Sequence, residues 1–167
     1  MDDPHDLPAT TPSVEPRRSG SLLLGVAAGL GAAAVGGVAW GLIVKWSEYE
    51  IGIVAWGIGF LAGAAVVAAT RGGKGPALQV VAVVSALFGI LLGKYLGYAF
   101  AVQEQAEAAG VELGLFSSEL RTFFREDLES VFGLFDLLWI GLAVFTAWRA
   151  LQRQEPELPS SPDRSVE

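Results

Sequence analysis

Four long apolar stretches, at about residues 22–44, 51–70, 77–100 and 131–148, dominate the chain, and short charged or polar segments separate them. A helix needs about 20 residues to cross the ~30 Å hydrocarbon core of a bilayer, and each stretch approaches that length. In lipid every backbone N–H and C=O needs an internal partner, which a helix supplies within one segment. The pattern therefore predicts an all-α fold: a four-helix transmembrane bundle at 21–151, between tails at 1–20 and 152–167.

Composition agrees. Hydrophobic residues make up 52% of the chain and charged residues 17%, below the ~25% of an average soluble domain. The length leaves room for one bundle and no second folded domain. Cysteine is absent and the only histidine, His5, lies in a Pro-rich tail. Structural zinc, thiol catalysis, disulfides and histidine-ligated haem or copper are thereby excluded, and no cofactor is expected. The net charge of -7 divides by region. The first tail and the segment from Glu104 to Glu129 are acidic, whereas Arg71–Gly75 is basic. No basic stripe suits nucleic acid.

Both tails are rich in Pro and polar residues without apolar periodicity, which predicts disorder. Arg17 and Arg18 stand before the first apolar run, an arrangement also found in signal peptides. The long polar lead, the length of the run and the three further spans favour a retained first helix. The turns Lys45–Glu50 and Arg71–Gly75 are short, so the first three helices are expected to form a tight up-down-up unit, with Pro76 in the first turn of the third. The third connection runs nearly thirty residues, too long for a plain loop in a compact bundle. Within it Phe116, Leu120, Phe123, Phe124, Leu128, Val131 and Phe132 recur at spacings of three and four, which predicts an amphipathic helix at about 116–130 leading directly into the last span. Ser117 or Ser118 can cap it, and Glu119 adds a favourable charge in its first turn. Its stripe suits the membrane interface; the alternative is that it folds back onto the bundle or onto a partner.

Lys and Arg near span ends set orientation. Arg17, Arg18, Arg71, Lys74, Arg149 and Arg153 fall on one side. Lys45, Arg121 and Arg125 fall on the other, with Lys94 close to its boundary. The bias predicts a cell-membrane protein with both termini cytoplasmic. Trp40, Trp46, Tyr49, Tyr95 and Tyr98 cluster toward the outer edge and Trp148 lies at the inner edge, as aromatic belts do.

Glycines recur at helical spacing: Gly25/Gly29, Gly37/Gly41, Gly59/Gly63 and Gly89/Gly93/Gly97. Each set lies on one helix face, where it lets another backbone approach closely. Packing within the bundle is the plainer reading; oligomerisation, with the Gly89–Gly93–Gly97 ridge as its surface, is the functional one. Gly29-Leu-Gly31-Ala-Ala-Ala34 and Gly72-Gly73-Lys74-Gly75 imitate nucleotide-binding fingerprints but lack the required context.

Two ionisable residues fall within predicted spans, where charge is costly and often functional. Lys94 and Asp136 both lie roughly 5–8 Å below the outer surface at ~1.5 Å per residue. Their matching depths predict an ion pair. The competing reading has Lys94 snorkelling to the headgroups while Asp136 sits at the water boundary. Glu48, Glu50, Glu104 and Glu107 could gather at the outer face as a cation or acid/base cluster, although solvated glutamates are commoner.

The stretch Glu48-Tyr-Glu-Ile-Gly-Ile-Val-Ala-Trp-Gly-Ile-Gly-Phe-Leu-Ala-Gly63, followed by Gln79-Val-Val-Ala-Val-Val-Ser-Ala-Leu-Phe-Gly-Ile-Leu-Leu-Gly-Lys-Tyr95, resembles a loose group of uncharacterised bacterial multi-pass membrane proteins. They share a Glu-Ile-Gly-x-x-Ala turn and a later Gly-Lys-Tyr. Some carry a zinc ribbon before the spans, which this cysteine-free chain lacks. The resemblance covers about helices one to three, marks Glu50, Gly52, Gly93 and Lys94, and implies no established activity.

The expected function is non-enzymatic: packing or scaffolding in the bilayer, as a homo-oligomer or with a membrane-protein partner. The alternative is a small transporter or channel component with Lys94 and Asp136 near its outer mouth.

Overall fold

The computed structural model describes residues 18–47 and 52–152. The expected disorder of the tails falls almost wholly outside these residues, as do Glu48, Tyr49, Glu50 and Ile51 of the first turn. The fold is all-helical: α1 (Arg18–Ser47), α2 (Ile53–Ala69), α3 (Pro76–Ala108), α4 (Ser118–Glu126), α5 (Leu128–Val131) and α6 (Leu134–Ala150), with no strand among the described residues. Two helices, α1 from Ser21 and α3, are long and apolar enough to cross a membrane, and α2 is a shorter apolar helix. Both α2 and α6 have 17 residues.

Local chemistry sets the helix ends. α2 closes with paired bonds from Gly72 N–H to the Val67 carbonyl (2.8 Å) and from Arg71 N–H to that of Ala68 (3.2 Å). This closure needs a left-handed residue, and Arg71 supplies it at φ 53°. α3 begins on Pro76 and closes the same way, with Gly110 as the left-handed residue at φ 76°. α3 also runs further than its apolar stretch, through Gln103, Glu104 and Glu107 to Ala108. Its 33 residues span about 50 Å at ~1.5 Å per residue.

The contacts fix the topology. α1 lies parallel to α3, with Gly25 beside Leu78, Gly37 beside Gly89 and Gly97 beside Val44. α2 runs antiparallel to both, since Gly29 meets Val66 and Gly36 meets Ile58. α6 runs parallel to α2, from Trp139 against Gly52 to Ala147 against Gly63. α2 and α3 thus form the middle of an up-down-up-down arrangement that α1 and α6 flank.

Alanine supplies about half of the interior, and many large apolar side chains lie on the outside. One core cluster joins Ala33, Ala62, Val66, Leu78, Ala82, Ala86, Ala147 and Leu151; the other joins Trp40, Ala55, Ile58, Ile90 and Ala143. Leu23, Val35, Phe60, Val84, Phe88, Leu91, Leu134, Phe135 and Phe145 are exposed, Leu134 by 82%. Such a distribution inverts that of a water-soluble core.

The amphipathic segment differs from its expected form. The single helix at 116–130 is divided at Asp127 into α4 and α5, and Phe132 in extended backbone (φ -111°, ψ 100°) separates α5 from α6. The last apolar helix consequently starts at Leu134 rather than 131. Ser117 is the α4 cap: its Oγ accepts from Leu120 N–H at 3.3 Å. The apolar stripe is shared. Leu120 and Phe124 are buried, while Phe116, Phe123 and Leu128 remain exposed. Tyr95 stacks on Phe116 and meets Phe124 edge-on at 5.2 Å, and Tyr98 meets Phe124 at 5.6 Å. These tyrosines, expected in an interfacial belt, dock α4 onto α3.

Candidate functional site

Lys94 is the one charged side chain in the interior of the described residues. It sits on α3 directly after Gly93, and its Nζ lies 2.9 Å from Asp136 Oδ1 on α6. The same ammonium donates to the Val131 carbonyl at 2.9 Å. It also approaches the rings of Trp40 (5.8 Å) and Phe132 (5.5 Å), within reach of cation–π attraction. The Lys94 side chain is 0% exposed and Asp136 19%. Removing two charges from water costs several kcal/mol per ion, so such a pair persists only where further bonds satisfy both groups.

Those bonds are present, and they explain where the pair stands. Asp136 occupies the third position of α6; its Oδ2 accepts from Gly133 N–H at 2.8 Å, and its own N–H donates to the Gly133 carbonyl at 3.0 Å. A carboxylate here favours the positive N-terminal end of α6. The Val131 carbonyl ends α5, where a cation is favoured. Lys94 therefore bridges the C-terminus of one helix and the N-terminus of the next across the Phe132–Gly133 break.

Glycines make the room for this corner. A Cβ on Gly93 would lie 2.7 Å from Trp40 Cε3, and one on Gly52 would overlap the Trp139 indole. Trp139 packs against the cluster that contains Trp40. Gly52, Gly93 and Lys94 thus serve one neighbourhood; Glu50 lies outside the described residues. Trp40 itself, expected in the outer aromatic belt, is buried, and its Nε1 has no hydrogen-bond partner among the described residues.

The other glycines of the predicted four-residue sets line internal seams. Gly25 and Gly29 face α2 and α3, Gly59 and Gly63 face Ala143, Ala147 and Ala150 of α6, and Gly97 faces Val44. The Gly89–Gly93–Gly97 ridge, the surface named for the alternative of oligomerisation, is covered by Ala33, Trp40 and Val44 of α1, as the plainer reading of packing within the bundle has it. It is an interior seam because α1 reaches its closest packing there.

No group of three or more potential metal-binding side chains forms among the described residues. Glu104 and Glu107 stand exposed on the extension of α3, and Glu48 and Glu50 lie outside the description. Sequence reasoning missed the Tyr98 hydroxyl, which donates to Asp127 Oδ2 at 2.5 Å. Asp127 sits beside the apolar stripe of α4, which was its only signal. It also missed the Gly133–Asp136 cap, whose three-residue spacing was visible. Searches against protein families, characterised proteins and solved structures give no match to this chain.

Proposed function

We propose that this chain is a non-enzymatic cell-membrane protein whose four helices α1, α2, α3 and α6 cross the bilayer and whose role is packing or scaffolding, with itself or with a membrane partner. The observation that carries the reading is the apolar exterior, with leucine, valine, isoleucine and phenylalanine exposed around the four helices while alanine and glycine recur at the contacts between them. Soluble monomers rarely expose contiguous apolar surface beyond a few hundred Å², whereas membrane helices use small residues at their contacts. The two 17-residue helices extend about 25 Å at ~1.5 Å per residue, the lower end of a spanning length. Lys and Arg asymmetry supports cytoplasmic termini, which leaves α4 at the outer interface.

Lys94 and Asp136 support packing over transport. The ammonium is buried and engaged by a carboxylate and a carbonyl, and a transport role would need it open to a passing ion. With the glycine ridge covered, one open apolar surface is a shallow recess of about 430 Å³ on the outer face of α1, lined by Ala34, Val35, Val38, Ala39 and Leu42.

The chain contains no cysteine, so single-cysteine crosslinking in native membranes has no background. Val35→Cys is expected to capture a second copy or a distinct membrane protein, and Ala86→Cys, buried in the core, is expected to capture neither. A chain that stays in the supernatant after carbonate extraction, or a monomer that crosslinks to nothing and conducts ions in liposomes, overturns the reading.

A further inference from the structure

A cavity of about 590 Å³ opens between α3 and α4, and two stripes of identical spacing face it. Phe88, Leu91, Leu92 and Tyr95 follow each other at i, i+3, i+4 and i+7 along α3 and form an apolar floor. Ser118, Arg121, Thr122 and Arg125 repeat that spacing on α4 and form a cationic, hydroxyl-bearing rim. Residues so spaced share one helix face. The floor extends about 10 Å along α3 at ~1.5 Å per residue. Its far end, Phe88 and Leu91, is exposed on the surface read as lipid-facing, and its near end, Tyr95, lies beneath α4.

Neither guanidinium forms an ion pair among the described residues: Arg121 donates through Nε to the Ser117 carbonyl at 3.3 Å, and no carboxylate pairs with Arg125. A site with an apolar trough at one end and two guanidiniums without an ion pair at the other complements a molecule with one hydrocarbon end and one phosphate end. We propose that the α3–α4 groove seats one anionic glycerophospholipid, its acyl chain along Phe88, Leu91 and Leu92 and its phosphate on Arg121 and Arg125. The proposal rests on the membrane reading and adds a ligand to it. Lipid in the groove would wedge α4 against Tyr95 and bind the amphipathic lead to its own leaflet.

The test uses the full chain in a neutral detergent with phosphatidylglycerol and phosphatidylcholine of the same acyl chains, and counts retained lipid by native mass spectrometry. One phosphatidylglycerol per chain is expected in preference to phosphatidylcholine. Arg121→Gln with Arg125→Gln should weaken phosphatidylglycerol binding roughly 30-fold, as expected for two basic residues at an anionic lipid surface. The corresponding double Lys variant should keep most of it. Leu91→Trp, which fills the floor but leaves both charges, should also lose the lipid at unchanged helicity. Equal retention of both headgroups, or undiminished binding in the double Gln variant, overturns the site. So does equally effective competition by glycerol 3-phosphate, which would mark a soluble phosphate site. If the chain needs detergent yet shows no headgroup preference, the lipid site fails alone. If it stays soluble without detergent and retains neither lipid, the membrane reading fails with it.

Discussion

Neighbouring residues of α3 hold their partners by opposite means. Gly89 and Gly93 face α1, where an added Cβ on Gly89 would lie 2.7 Å from the Ala33 carbonyl oxygen. One position after Gly93, Lys94 reaches the other way to Asp136 and Val131 at 2.9 Å each. The glycine seam works by absence: removing side chains brings two backbones together, and dispersion over a long parallel contact supplies the attraction. It is insensitive to charge and intolerant of volume. The Lys94 corner works by a few directed bonds whose value depends on every partner remaining in place. An uncompensated buried ion costs more than the whole pair contributes. The seam therefore fixes how close α1 lies, and the corner fixes where the α5–α6 break lies.

The largest expected effect follows from leaving Lys94 without its carboxylate. Asp136→Ala should destabilise by about 3 kcal/mol, the cost of breaking a largely buried pair, measured as thermal unfolding in a mild detergent. Lys94→Met combined with Asp136→Ala should lose less, because no buried charge is left behind. Asp136→Asn keeps an acceptor for Gly133 N–H and removes the charge, so it separates cap from ion pair. Equal losses in the single and double variants would eliminate the coupling on which the comparison rests.

The seam should respond to volume alone. Gly37→Ala places a methyl group 2.6 Å from the Gly89 carbonyl oxygen, and overpacking of this kind costs about 2 kcal/mol. Gly31 lies on the same helix with nothing within 4 Å. Gly31→Ala should therefore be neutral or gain up to ~1 kcal/mol of helix propensity. If the two substitutions behave alike, the close parallel approach of α1 and α3 is wrong.

The seam was more legible in the sequence than the corner. Gly25/Gly29 and Gly59/Gly63 announce a contact face because four-residue spacing is local. What they cannot announce is the partner: the spacing of the Gly89–Gly93–Gly97 ridge fits packing within the bundle and a second molecule alike, and it is α1 that covers it. Ser117 and Glu119 marked the start of α4 for the same local reason. The break at Asp127 was hidden because its partner, Tyr98, lies 29 residues away. Trp40 was misplaced because its burial depends on the space left by Gly93 on another helix. The extension of α3 to Ala108 was assigned to a connection on polarity, although its Ala, Gln and Glu residues are good helix formers.

The smallest effect tests whether protons touch only the polar side of the molecule. Glu119, in the first turn of α4, is held below its ordinary carboxylate value by its own backbone N–H and by the Ser118 hydroxyl. A depressed folded value means that the carboxylate stabilises α4 fully above the unfolded value of about 4.3 and that this is lost as pH falls further. Amide hydrogen exchange over 118–122, corrected for intrinsic rates, should therefore quicken as the pH falls below about 4.3, while amides of the α1–α3 seam should not. Glu119→Gln should remove the difference between the two regions. Identical acid responses in both regions, or an unchanged response in the Gln variant, would show that the lead to the last helix owes nothing to its N-terminal charge.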